Sequence, residues 1–256
     1  MIDPNSIIDK RAELSGDVTV GPYSVIGPDV KIDSGTVIGS HVVIKGPTSI
    51  GKDNRIFQFC SIGEDPQDKK YAAEVTRLEI GDRNTIREFA TMHRGTVQDQ
   101  GVTRIGSDNL FMAYTHVAHD CVIGDHVVMA NGASLAGHVS LNSHAILGGF
   151  TLVHQFTKIG QHSFAAMGSA ITQDVPPFVM VGGKPTKPHG INAVGMERNG
   201  FSPDDIRLIR KAYKIIYKMN LRLEEAIEEM LSLGHDNANL AELADFLRHV
   251  SRGILR

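Results

Sequence analysis

Tryptophan is absent from this chain, cysteine occurs twice in 256 residues, and aromatic residues make up only 6% of the whole. A broad core built on large rings is therefore excluded. Cys60 and Cys121 each sit in an apolar pattern, so no disulfide framework is expected. No apolar stretch reaches membrane-spanning length, and the opening "MIDPNSIIDKRAEL" already holds acids, unlike a secretory signal. The expectation is a cytoplasmic protein with no membrane insertion. A formal net charge of −3 leaves no surplus of cations to hold a nucleic acid by bulk basicity.

What is plentiful is glycine, with 26 residues, and histidine, with 12. Many glycines with few aromatics suggest tight, repeated corners around small core side chains. Counting from Ile2 in steps of six meets Ile8, Leu14, Val20, Ile26 and so on to Ile62, every one aliphatic. The next residue is often glycine, as in Val20-Gly21 and Ile50-Gly51, and two residues earlier stands a small or β-branched side chain such as Val18 or Thr36. The stride resumes at Ile80, Ile86 and Met92, then shifts by one and runs from Ile105 through Val117 and Ile123 to Ile171.

A helix repeats near 3.6 and a half-buried strand near 2, so unbroken sixes fit neither. They fit short strands turning a corner every six residues, with glycine available where a corner needs positive φ. Three such sides make an 18-residue coil, and stacked coils form a parallel β-helix with rungs about 4.8 Å apart.

Two polar segments interrupt the stride: "EDPQDKKYAAEVTRLE", residues 64–79, and "RGTVQDQGVTR", residues 94–104. Both read as loops thrown out of the coil, and long loops on a rigid scaffold are frequent sites of function. Past "DVPPFVMVGGKPTKPHG" the period becomes helical. Ser202 and Pro203 open one helix, and two more are expected near 222–233, closed by Gly234, and near 238–250. The expected organisation is a β-helix over 1–190 and an α-helical C-terminal domain over 191–256. The basic residues of the first helix, Arg207, Arg210, Lys211, Lys214 and Lys218, suit an acidic partner or a plain solvated face.

With an 18-residue coil, His126, His144 and His162 form a vertical column, read here as outward surface stacking. His116, His119, His138 and His154 crowd one edge across successive rungs, forming a groove most easily closed by a neighbouring subunit. Zinc would need about three ligands near 2.1 Å, and in a strand His-x-x-His points to opposite faces unless a corner relaxes it. A general base needs only an imidazole and a group fixing its tautomer, which His119 and Asp120 could supply.

The sixfold repeat, the loop "GEDPQDKKYAAEVTRLEIGDRNTIRE", and the stretches "HVAHDCVIG", "LAGHVSL", "LVHQF", "QDVPPFV" and "RNGFS" together resemble one family along essentially the whole chain. It is the acyl-carrier-protein–UDP-N-acetylglucosamine O-acyltransferases, which begin lipid A synthesis. The resemblance implies a left-handed parallel β-helix with a C-terminal α-helical domain, assembled as a homotrimer. It implies transfer of a 3-hydroxyacyl group from acyl carrier protein to the sugar 3-hydroxyl of UDP-N-acetylglucosamine, with no metal and no diffusible cofactor. His119 would be the general base, Asp120 would orient it, and the Gly137 N–H would face the oxyanion. His116, His138, His154 and Gln155 would line the groove. Gln67, Asp68 and Lys70 would hold sugar nucleotide or donor, and Asn192 and Arg198 would serve nucleotide binding.

The chain departs from the family pattern at Val194, where an acid is usual, and at Asn199, where a second arginine is usual. Met167 stands where long-chain members tend to have glycine at the end of the hydrocarbon groove. Its side chain fills the space of several methylenes, each worth about 0.8 kcal/mol when buried. The expectation is a preference for acyl chains of around ten to twelve carbons, unless Met167 turns into the core.

Three other readings make different forecasts. A related N-acyltransferase would carry a further domain before the coil, whereas this chain enters the repeat at Ile2. A zinc lyase of the hexapeptide type would hold one tight zinc per subunit. A non-catalytic β-helix would leave His119→Ala silent.

Overall fold

Each hexad residue marks one side of a triangular coil. The computed structural model describes residues 1–234, 236–250 and 252–256. Among these, strands of mostly two residues stack in parallel into three sheets of nine, eight and ten strands, one sheet per face. The first face runs from Ile7–Ile8 through His116–Val117, Ser134–Leu135 and Leu152–Val153 to Ala170–Ile171. The third face ends in the antiparallel pair Val179–Gly182 and Lys187–Ile191.

Register is strict. His116 pairs with Ser134 and Ser134 with Leu152, so residues 18 apart lie directly above one another. The hexad positions are the core: Ile26, Ile44, Ile62, Ile86, Val117 and Leu135 are all buried. Burying one such side chain contributes roughly 1.5–3 kcal/mol, and the ladder repeats that gain on every rung. Some corner polar groups pair between rungs. Buried Asn54 accepts from the Asn84 N–H at 2.9 Å, and Asn84 accepts from that of Asn109 at 3.0 Å.

Apart from Gly63, whose φ is +74°, the glycines that follow hexad residues do not serve positive φ, contrary to expectation. That conformation falls two residues further on, at Tyr23, His41, Asp53 and His126. Asp and His tolerate it comparatively well. The glycines are needed for close approach instead. A Cβ on Gly21 would lie 2.8 Å from the Gly39 carbonyl carbon of the next rung.

The two interruptions are shorter than expected, because strands continue into them. Ser61–Glu64 and Arg77–Ile80 bracket the first loop, and Thr91–His93 and Val102–Ile105 bracket the second. After the coil come α1 (Ala193–Arg198), which was not expected, then α2 (Pro203–Lys218), α3 (Leu223–Ser232) and α4 (Ala238–Arg248). Ser202 caps α2 by accepting from the Asp205 N–H at 3.1 Å, with Pro203 in the first turn. The helices pack Ile209, Ile216, Met230 and Leu243 into a second apolar cluster, which also takes in Phe178 at the end of the coil. No described helix is long and apolar enough to cross a membrane.

The histidine column stacks as read, with ring centroids 4.8 Å apart for His126 and His144 and 4.4 Å for His144 and His162. Its top member is not a surface residue, however. His162 is buried beneath Phe178 and the edge of Phe201.

Candidate active site

The corner at His119–Asp120 joins the first face to the second. His116 begins a strand on the first face, and the chain then turns through Asp120, whose φ is +58°. That turn lets two histidines three residues apart line one cavity, which a continuous strand would not allow.

Asp120 is buried and fully engaged. One carboxylate oxygen accepts from the Thr96 N–H at 2.8 Å and the other from the Thr96 hydroxyl at 2.6 Å. The second oxygen also lies 2.9 Å from His119 Nδ1. Burial alone would raise the Asp120 carboxyl, but the hydrogen bonds from His119 and Thr96, with His138 nearby, hold it below the ordinary carboxylate range. An ionised Asp120 accepts the Nδ1–H of His119 and leaves its Nε2 as the lone-pair nitrogen.

The Gly137 backbone backs this imidazole. A Cβ there would lie 2.5 Å from His119 Cε1 and 2.8 Å from Nε2, so the ring position depends on a bare residue. Among the described residues no protein acceptor takes the Gly137 N–H.

His116 is seated by Thr91, whose hydroxyl lies 2.7 Å from Nδ1. Burial, and next His119, push its imidazole below the ordinary histidine range. His93 packs edge-on behind it at 5.0 Å, and burial followed by His116 pushes that ring down to about 4. His138 stacks on Phe156 at 4.4 Å and meets His119 edge-on at 5.1 Å. Its Nδ1 lies 2.9 Å from Asp99 Oδ2.

Two adjoining cavities of about 450 and 800 Å³ share Gln67, His119 and Gln155. The smaller is lined by His116, Gly137 and the apolar Leu152, the larger by Asp68, Lys70 and His138. The first loop reaches this site because buried Arg94 clasps it. The Arg94 guanidinium donates to the Gly63 carbonyl at 2.6 Å and to the Tyr71 hydroxyl at 3.0 Å, and it pairs with Asp65.

The remaining expected residues lie elsewhere in the single chain. His154 is exposed and donates its Nδ1–H to the Gln155 carbonyl at 3.0 Å, outside both cavities. Asn192 and Arg198 line a separate cavity with Val194, Ile146, Phe164 and Met180, on the third face. Met167 is 79% exposed and so does not turn into the core.

His119, Asp120 and His138 offer ligand atoms within 4.8 Å of one another, a grouping that can gather a metal ion. Both Asp120 oxygens accept from Thr96 and the Nδ1 atoms of the two rings face carboxylates, so the ring nitrogens left to act as ligands are the two Nε2 atoms.

Comparison with known proteins finds relatives that match the whole chain. A sequence profile described as UDP N-acetylglucosamine O-acyltransferase, domain 2, matches residues 174–255, and the bacterial transferase hexapeptide profile matches 12–46 and 103–137. The acyl-[acyl-carrier-protein]–UDP-N-acetylglucosamine O-acyltransferase of Herminiimonas arsenicoxydans is 54% identical over 100% of this chain and 99% of its own length. The chain belongs to this O-acyltransferase family. The enzyme of the same name from Halorhodospira halophila is 55% identical with the same coverage. Among solved structures, LpxA from Acinetobacter baumannii superposes with a TM-score of 0.97 at 47% identity, covering 100% and 99% of the two chains. The Arabidopsis UDP-N-acetylglucosamine acyltransferase gives 0.83 at 32% identity, covering 100% of both. As an O-acyltransferase of this family, the protein has the left-handed parallel β-helix with a helical C-terminal domain.

The sequence reading missed Thr91, His93, Thr96 and Asp99. Thr96 and Asp99 belong to the second interruption, where no period assigns a side chain to a face. The signal available was that polar stretch itself, falling between two rungs that carry histidines.

Proposed function

We propose that this O-acyltransferase moves a 3-hydroxyacyl group from acyl carrier protein to the 3-hydroxyl of UDP-N-acetylglucosamine, the step that opens lipid A synthesis. His119 Nε2 takes the proton of the sugar hydroxyl as its oxygen attacks the thioester carbonyl carbon. Asp120 holds the Nδ1–H and stabilises the imidazolium that forms. The free Gly137 N–H faces the oxyanion, a type of donor whose loss can cost about a hundredfold or more in rate. When the tetrahedral intermediate collapses, the C–S bond breaks and His119 returns the proton to the departing thiolate.

The observation that carries this reading is the His119–Asp120 pair, with Asp120 clamped through both oxygens by Thr96 and His119 seated on Gly137. His116, His138 and Gln155 contact substrate from the groove wall, and Gln67, Asp68 and Lys70 do so from the clasped loop. The acyl chain runs up the first face past Ser134 and Leu152 towards Met167. From the His116 strand to the strand just after Met167 is three rungs, about 14 Å at the usual strand spacing. That length suits a chain of about ten to twelve carbons.

The working unit is a homotrimer. Along the edge between the first and third faces runs a column of exposed rings: Tyr23, His41, Phe59, Phe89 and Tyr114, stacked 4.7–5.2 Å apart. Phe150 continues the edge at 70% exposure. Three such columns meeting on a threefold axis would cover this apolar stripe. The first face of one subunit would then meet the third face of the next, bringing Asn192, His154 and Arg198 to a shared groove. Transfer of labelled 3-hydroxydecanoyl from its carrier protein to UDP-N-acetylglucosamine tests the function; turnover supports it, and no turnover with any chain length contradicts it.

A further inference from the structure

The second interruption does more than clamp Asp120. Its turn, in which the Asp99 and Gly101 N–H groups donate to the Thr96 carbonyl at 3.3 and 3.0 Å, delivers the Asp99 carboxylate to His138, 39 residues away in sequence. The Oδ2–Nδ1 distance is 2.9 Å, and the His138 side chain is 14% exposed against 40% for that of Asp99. The other neighbours of the His138 ring are Phe156 across one face, His119 at its edge, and Asp120, whose Oδ2 is 3.9 Å from Nε2.

Stacking on Phe156 sets the plane of the ring but not which edge points where, because a stacked imidazole flipped about its Cβ–Cγ axis keeps the same overlap. The hydrogen bond to Asp99 is directional and removes that freedom. With Nδ1–H given to Asp99, the nitrogen turned towards Asp120 and the groove is Nε2. The flipped ring would offer carbon there.

We propose that Asp99 is a positioning residue for acyl transfer: its carboxylate accepts the His138 Nδ1–H and so selects the ring edge that His138 presents to substrate. This rests on reading His138 as a substrate contact.

The test is a double-mutant cycle in kcat/KM for UDP-N-acetylglucosamine, read on the intact enzyme with a fixed acyl carrier protein donor. Asp99→Ala is expected to lower kcat/KM about tenfold, as for loss of a charge-assisted hydrogen bond. Asp99→Asn, whose amide oxygen still accepts, is expected to stay within about threefold of the native enzyme. In a His138→Ala background, Asp99→Ala is expected to change kcat/KM by less than about twofold. Equal losses in both backgrounds would mean that Asp99 merely supports the loop, and would overturn the proposal. So would a native-like Asp99→Ala enzyme. If His138→Ala alone leaves kcat/KM unchanged, the substrate-contact reading fails and the proposal falls with it. That outcome is distinguishable because the coupling can fail only in an enzyme that His138→Ala has already impaired.

Discussion

The imidazole of His119 rests against the bare backbone of Gly137, so closely that a Cβ on Gly137 would overlap Cε1 at 2.5 Å. Gly137 does not adopt positive φ, and alanine is therefore compatible with its backbone. Gly137→Ala should displace the ring without unfolding the coil. A misplacement on the order of 1 Å can cost about a hundredfold in rate. The expected result is a kcat reduced by at least about tenfold with a melting temperature within a few degrees of native, measured by turnover and calorimetry side by side.

Thr96→Val keeps the side-chain volume of a residue that is itself fully buried, but removes the hydroxyl that donates to Asp120. The Thr96 N–H contact survives. A buried carboxylate short of one donor costs about 1–3 kcal/mol. Thermal unfolding should register that loss, and kcat should fall because Asp120 no longer holds His119 in a single pose. A variant with native stability and native kcat would contradict the clamp.

The buried column residue His162 makes stability depend on pH. Burial, and next the stacked His144, push its imidazole down to about 4, below the histidine value of 6.5. Between those two values the unfolded chain binds the proton and the folded chain does not, so stability rises with pH across that window. The contribution is complete above pH 6.5 and is lost as pH falls to about 4, a change on the order of 3 kcal/mol for this ring. His162→Phe keeps an aromatic ring beneath Phe178 and should flatten the slope of denaturation midpoint against pH in that range. His93, also pushed down to about 4, should contribute a second component that this variant leaves in place.

Met167 supplies a length measurement. Exposed in the single chain, it is free to face a groove along the first face. Met167→Gly should shift preference towards longer 3-hydroxyacyl chains, read as relative kcat/KM across carrier proteins of graded chain length. An unchanged preference would remove Met167 as the ruler while leaving the enzyme assignment intact.

The regular part of the molecule was legible because the hexad rule is physical. Each of Ile26, Ile44 and Ile62 must point inward for the coil to close, and each does. His119 and Asp120 were singled out because the 18-residue coil gathers His116, His119, His138 and His154 at one edge, and because the stretch around them resembles that of the family. The limits have equally physical causes. Thr96 and Asp99 reach Asp120 and His138 through an irregular loop, and no spacing in the sequence encodes where such a loop folds back. Gly21 and its equivalents were assigned to left-handed corners, whereas their role is contact between rungs, visible only once residues 18 apart are stacked. Asn192 and Arg198 lie on a different face from His119, and the groove proposed between subunits would divide its residues between two copies of the chain.

The central claim is that His119 acts as the base. The decisive measurement is acyl transfer to UDP-N-acetylglucosamine by the native enzyme and by His119→Ala, alongside calorimetric binding of the acceptor to each. Loss of general-base catalysis is worth about a hundredfold to ten-thousandfold. The account predicts that His119→Ala still binds the acceptor but loses turnover by about a thousandfold. Turnover above about a tenth of native, with binding unchanged, would contradict it.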